Sequence, residues 1–343
     1  MLIVSEDTPI LVCEQNKLRI IPIRFAAREK IVDEFSEIPN EVLQEGNEWV
    51  RINESTTDEF VPPIPLEVLS LNGKFTRVQK IIRYRNVQNP IYRIFCCRYG
   101  MIDFLSNQNL LLNDHTSIHC DNIHSAELIM KVQRDCVLKT IEPFLQENDS
   151  IYDFHLTESF AFSIGCIFRS GTFTSNCVSI YCKNEKLLRE IKDGLPWKTN
   201  LKDSKFLEIC RIGISSRNVF NLMYSLKHRI PNEILFSKDI CYPKAFVNGY
   251  ETMKKQEPLE LEVLPENSTK TIFMQLWLLY WRFEEKGPYL ITRGDLDCIG
   301  VSNSLKTPPT YFLSEYPHRR PVTMYNLETE DHYFHVGPGT IIV

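Results

Sequence analysis

The stretch from Thr269 to Phe283 constrains the fold of this chain more than any other. Ile272, Phe273, Leu276, Trp277 and Tyr280 recur there at helical spacing, and apolar residues cover almost the whole circumference of the implied helix. A helix without a polar face has to be enclosed on every side, so it is expected at the centre of a large core. The chain can supply one: 343 residues suffice for a single large core with an appendage, or for two domains.

Around this helix, strand-like and helical patterns mix without strict alternation. Ser125 to Leu145 has helical spacing, with Pro143 disturbing its last turn. Asn184 to Asp193 reads as a capped helix stopped by Gly194 and Pro196, and Asn218 to Lys227 as another. Strands are expected at Ile10–Cys13, Leu18–Ile23, Phe160–Phe168, Cys177–Cys182 and Leu259–Leu264. The pattern predicts an α+β or mixed α/β fold, a central mixed sheet flanked by helices. From Asp33 to Glu59 the chain is acidic and aperiodic, and Pro62-Pro63 follows. An N-terminal extension with an acidic linker is therefore expected over residues 1–64, and a mixed-sheet domain over residues 65–343. No internal repeat stands out.

Composition excludes more than it assigns. With 43% apolar and 24% charged residues the chain is an ordinary globular protein, and a net charge of −5 leaves no overall nucleic-acid footprint. No stretch reaches the roughly 20 apolar residues that span a bilayer. Met1 to Asp7 lacks the basic region of a signal peptide, so a nuclear or cytoplasmic rather than secreted protein is expected. The eleven cysteines show no C-x-x-C pair and are expected to be reduced core thiols.

The chemistry-bearing residues cluster late in the chain. Gly294-Asp295-Leu296-Asp297-Cys298 follows the strand-favouring run Pro288 to Thr292. Alternation along a strand points Asp295 and Asp297 to one face, where paired carboxylates suit Mg²⁺ or Mn²⁺. The competing reading is an exposed strand end with solvated aspartates. Earlier, Lys74, Arg77, Lys80, Arg83, Arg85, Arg93 and Arg98 occur without an acid among them, interleaved with Phe75, Tyr84, Tyr92 and Phe95. That pattern fits a phosphate-binding surface with stacking aromatics, or strands with cations on a wet face and aromatics in the core. His115, His119, Cys120 and His124 offer zinc-type ligands but lack the two separated pairs of tight zinc sites, which favours a polar loop. The G-x-S-x-G elbow, the Walker loop and G-x-G-x-x-G are absent.

Over residues 240–316 the chain resembles the Rai1/DXO family of RNA 5′-end decapping nucleases. The resemblance rests on Gly249 with Glu251, on Gly294-Asp295-Leu296-Asp297-Cys298, and on Pro308-Pro309-Thr310 leading into Tyr311 to Tyr316 with Glu315. It implies a divalent-metal-dependent hydrolase of RNA 5′ ends, with Asp295 and Asp297 as ligands of Mg²⁺ or Mn²⁺ and Glu251 and Glu315 as further catalytic carboxylates. Arg293, Arg83, Arg85 and Arg93 would contact the RNA. Implied partners are RNA 5′ ends and a 5′→3′ exoribonuclease; neither DNA nor membrane is expected. The chain departs from the family pattern: Asp295 replaces a Glu, Glu251 and Glu315 are out of register, and Ser314 and Tyr316 stand where the family has Glu and Lys. Those departures leave open a catalytically inactive RNA-binding or adaptor protein.

Overall fold

The computed structural model describes residues 3–27, 50–53, 57–62, 64–96, 100–105, 108–111, 115–119, 134–203, 208–254, 269–283, 289–293, 298–302, 311–316, 322–336 and 341–342. The fold is mixed α and β, as the sequence pattern predicts, and divides into two compact units. The first comprises Met1–Phe144, Leu261–Trp277 and Lys286–Val343; the second comprises Leu145–Glu260 and Leu278–Glu285.

In chain order the first unit opens with β1 (Val4–Ser5), β2 (Pro9–Glu14), β3 (Lys17–Pro22), β4 (Val50–Asn53), β5 (Thr57–Phe60), β6 (Leu66–Leu69), β7 (Phe75–Val87), β8 (Ile91–Cys96) and β9 (Gly100–Leu105). A hairpin of β10 (Asn109–Leu111) and β11 (Ser117–His119) follows, then helix α1 (Arg134–Ile141) and a 3-10 turn at Glu142–Phe144 that contains Pro143. Within the span expected as helix from Ser125 to Leu145, residues 125–133 lie outside the described residues.

The second unit runs through β12 (Ser150–Ile151), β13 (Phe154–His155), α2 (Glu158–Ser170), β14 (Gly171–Phe173), β15 (Cys177–Tyr181), α3 (Glu185–Asp193), β16 (Asn200–Asp203), β17 (Glu208–Gly213), α4 (Arg217–His228), α5 (Asn232–Leu235) and α6 (Cys241–Lys254). Helix α7 (Thr269–Trp281) belongs to the first unit as far as Trp277 and to the second from Leu278. The chain then forms β18 (Tyr289–Arg293), β19 (Cys298–Ser302), β20 (Tyr311–Tyr316), β21 (Val322–Thr329), β22 (His335–Val336) and β23 (Ile341–Ile342).

An eleven-stranded sheet dominates the first unit, in the order β20-β8-β9-β1-β21-β7-β6-β2-β3, with β5 also pairing β7 and β4 pairing β5. Its pairings are antiparallel. β7 holds the sheet together: it pairs β21 along one edge and both β5 and β6 along the other. Residue 64, where the sequence placed a boundary, falls between β5 and β6 of this sheet. β2 pairs β6 across the same position. Within the span expected as linker, the described residues 50–53 and 57–59 lie in β4 and β5, where Asp58 is buried against arginines of β7. Alternate residues of the strands, among them Ile10, Val12, Val68, Val78, Ile81, Ile102, Phe104, Tyr325 and Leu327, form one buried apolar cluster.

Tight turns set the register of two hairpins. Gln15 and Asn16 both have positive φ between the paired Glu14 and Lys17, and Tyr152 and Asp153 repeat this between Ile151 and Phe154. Two left-handed residues in a two-residue loop match the right-handed twist of the strands they join.

In the second unit a four-stranded antiparallel sheet, β14-β15-β17-β16, turns Val178, Ile180, Cys210 and Ile212 into the core. Capped helices accompany it. Asn184 caps α3 by accepting the Leu187 N–H at 3.2 Å, and Ser216 caps α4 by accepting the Val219 N–H at 3.3 Å. The segment Phe160–Phe168, expected as a strand, is part of helix α2. Thr157 caps it, accepting the Phe160 N–H at 3.1 Å, and every residue from Phe160 to Ile167 is buried. A continuous apolar run enclosed on all sides has neither a helical nor a strand period, so pattern alone misassigned it. The run expected at Leu259–Leu264 lies outside the described residues.

Helices α2 and α6 pack with their backbones in contact. A Cβ on Gly165 would lie 2.0 Å from the Phe246 carbonyl oxygen, and one on Gly249 would lie 2.1 Å from that of Phe162. The contact is reciprocal, and the two segments share a spelling: Ala161-Phe162-Ser163-Ile164-Gly165 and Ala245-Phe246-Val247-Asn248-Gly249. Glycine is required at both places because no side chain fits between the two backbones.

Candidate functional site

The predicted site residues fall into three groups. Asp295 and Asp297 lie outside the described residues, between β18 and β19, which pair antiparallel from Tyr289–Ser302 to Arg293–Cys298. Arg293, Arg93 and Glu315 are placed by backbone register. Arg293 ends β18 opposite Cys298; Glu315 lies on β20 opposite Tyr92 of β8, with Ser314 opposite Arg93. Glu251, Arg83 and Arg85 have described side chains, and each makes a contact within its own unit.

Glu251 lies half-buried on α6, where its carboxylate accepts the hydroxyl of Tyr280 from α7. Tyr280 is 1% exposed, and a phenolic O–H that deep needs an acceptor. Glu251 supplies it. Glu251 belongs to the second unit, whereas Glu315, like β18 and β19, belongs to the first.

Three cations of β7, Lys80, Arg83 and Arg85, are met by acids from neighbouring strands. Arg83 is 8% exposed and donates to Asp58 Oδ2 through Nε at 3.0 Å and through Nη2 at 2.8 Å. Arg85 donates to Asp58 Oδ1 at 3.1 Å. Lys80 lies 3.3 Å from Glu59 and 4.0 Å from Glu328. The acids come from β5 and β21, which pair with β7, so a segment without a single acid in sequence is compensated across the sheet. Burial of Tyr84, with the Glu59 charge adding to it, pushes that phenol above its ordinary pKa.

The first unit also contains a polar cluster that the sequence pattern did not single out. Lys270, 3% exposed in the first turn of α7, places its Nζ 2.8 Å from Asp103 Oδ2, 2.8 Å from Asp7 Oδ1 and 2.9 Å from Ser5 Oγ. Ser5 Oγ also donates to Asp7 Oδ1 at 2.6 Å. Burial alone would lower the lysine's pKa; the charges of Asp103 and Asp7 outweigh it and raise the value. A lysine held in its charged form serves as a tether and not as a proton acceptor. Its signal was a lone cation in an otherwise apolar helix, a residue that has to find carboxylates when buried.

A second polar cluster contains a serine, an aspartate and a histidine, yet in an arrangement unsuited to nucleophilic catalysis. The Ser70 hydroxyl donates directly to Asp331, while His335 Nε2 lies 2.6 Å from the Ser70 backbone oxygen. No imidazole stands between acid and hydroxyl, and Ser70 is fully buried.

His115, with positive φ, lies in the connection between β10 and β11, and His119 ends β11 opposite Asn109, whereas Cys120 and His124 lie outside the described residues. Among the described residues no group of three or more His, Cys, Asp or Glu side chains is arranged to hold a metal ion. Those residues therefore assemble no donor set for Mg²⁺ or Mn²⁺. Also among them, no helix is long and apolar enough to cross a membrane. The described cysteines are free thiols: Cys13, Cys166, Cys182 and Cys210 are buried, Cys177 is half-buried, and Cys136 and Cys241 are exposed.

Fold and clusters together define an α+β protein of two compact units. No protein-family model and no curated protein matches the chain. Among solved structures the chain is similar to inteins, at low scores in the following cases. The transcription factor IIB Mvu mini-intein is 13% identical, with 41% of this chain and 75% of that chain covered at a TM-score of 0.30. The TvoVMA intein is 9% identical over 99% of this chain and 96% of its own, at 0.27. The Pyrococcus horikoshii PolII mini-intein is 14% identical over 38% and 71%, at 0.18. Likeness at this level assigns neither a fold family nor an activity.

Proposed function

We propose that this chain is a catalytically silent binding or adaptor protein, with RNA 5′ ends as the ligand class that its resemblance to the Rai1/DXO family implies. The observation that carries the reading is the bond from Tyr280 to Glu251. Among the predicted catalytic carboxylates Glu251 is the one with a described side chain, and it satisfies a buried hydroxyl. Arg83 supports the same reading, since its guanidinium is spent on Asp58 inside the sheet. The departures at Ser314 and Tyr316 remove the Glu and Lys on which a family member would rely for charge stabilisation at the phosphate.

The test is incubation of the purified protein with Mn²⁺ and RNA carrying a 5′-triphosphate or an incomplete cap, with binding followed in parallel. The expected result is salt-dependent RNA binding without release of cap or nucleotides. Robust Mn²⁺-dependent release that disappears in Asp297→Asn would overturn the proposal in favour of a working hydrolase. Absence of both cleavage and binding would remove RNA as the ligand.

A further inference from the structure

We draw no further inference here: the strongest candidate, the half-buried ridge along α4 in which Arg217 lies over Phe220, Phe220 stacks on Tyr224 and Tyr224 meets His228, already uses its rings on one another, and nothing in the structure shows what covers it.

Discussion

Lys270 and Asp103 face each other 2.8 Å apart in the interior of the first unit, 3% and 4% exposed. Replacing Lys270 with Met would remove that ammonium from the buried Asp103 carboxylate. Breaking a buried pair from one side costs roughly 3–5 kcal/mol, so Lys270→Met is expected to lower the urea midpoint markedly. The pair's dependence on pH has a definite sign. The lysine's folded pKa is raised, so its contribution is complete below the unfolded value of about 10.4 and is lost as pH rises through the folded value. Urea midpoints of wild type and Lys270→Met should therefore differ by a constant amount from neutral pH to about pH 10 and converge only above it. Convergence near pH 8 would refute the assignment.

Asp58 is the counterpart on the other side of the sheet, holding Arg83 and Arg85 together. Asp58→Asn keeps the shape and removes the charge, leaving Arg83 buried. The expected loss is again about 3–5 kcal/mol. Arg85→Ala should cost about 1 kcal/mol or less, because the Arg85 side chain keeps 30% of its surface in water. Equal effects from the two variants would mean that Asp58 is not the centre of the cluster.

Gly165→Ala and Gly249→Ala each insert a methyl group where the opposing carbonyl lies about 2 Å away. Backbone has to move, since no flexible side chain can yield. Each variant is expected to lose at least the 1–3 kcal/mol typical of overpacking, and the double variant less than the sum, because the first insertion already separates the helices. Additive losses measured by urea denaturation would place the two glycines in separate contacts.

Trp277 is 5% exposed on α7, so Trp277→Ala should destabilise by about 3–5 kcal/mol. A midpoint within error of wild type would mean that the helix is peripheral to folding stability.

Cys241 and Cys136 are expected to react with a thiol reagent in the native protein, while Cys13, Cys166, Cys182 and Cys210 wait for unfolding. Cys241 should react slowly for an exposed thiol. The Asp239 carboxylate beside it, through a hydrogen bond and its charge, holds the thiol above its ordinary pKa and so reduces the thiolate at neutral pH. Asp239→Asn should therefore accelerate labelling at Cys241, read by peptide mapping, and leave Cys136 unchanged.

Legibility in the sequence followed the physics of each segment. α3, α4 and α7 carry a helical period or clear end signals, and their bounds fall within a residue or two of the pattern. α2 is expected as a strand because burial on all sides erases periodicity, and its N-terminal signal is the single Thr157 cap ahead of the run. The Ala-Phe-x-x-Gly echo between α2 and α6 is too short to stand out as a repeat until the backbone contact gives it meaning. Asp58 and Arg83 are 25 positions apart, and Lys270 and Asp103 are 167 apart, so neither pair could be matched without the sheet order. Glu251 is expected as a further catalytic carboxylate, and the spacing that marks the acid carries no sign of the Tyr280 hydroxyl that donates to it.

The pairing of β1 with β21 has a consequence for synthesis. Val4 cannot find Tyr325 until more than three hundred further residues have been made, and every residue of the second unit lies in that interval. At about 5–20 residues per second the first strand waits roughly 16–64 s for its neighbour. During that time β7 offers the ribosome-bound chain an open hydrogen-bonding edge where β21 will dock, the kind of edge that recruits a wrong strand. The nascent chain thus has to carry a half-finished sheet through the production of an entire second core, and the window for misassembly closes only when residues 322–329 emerge.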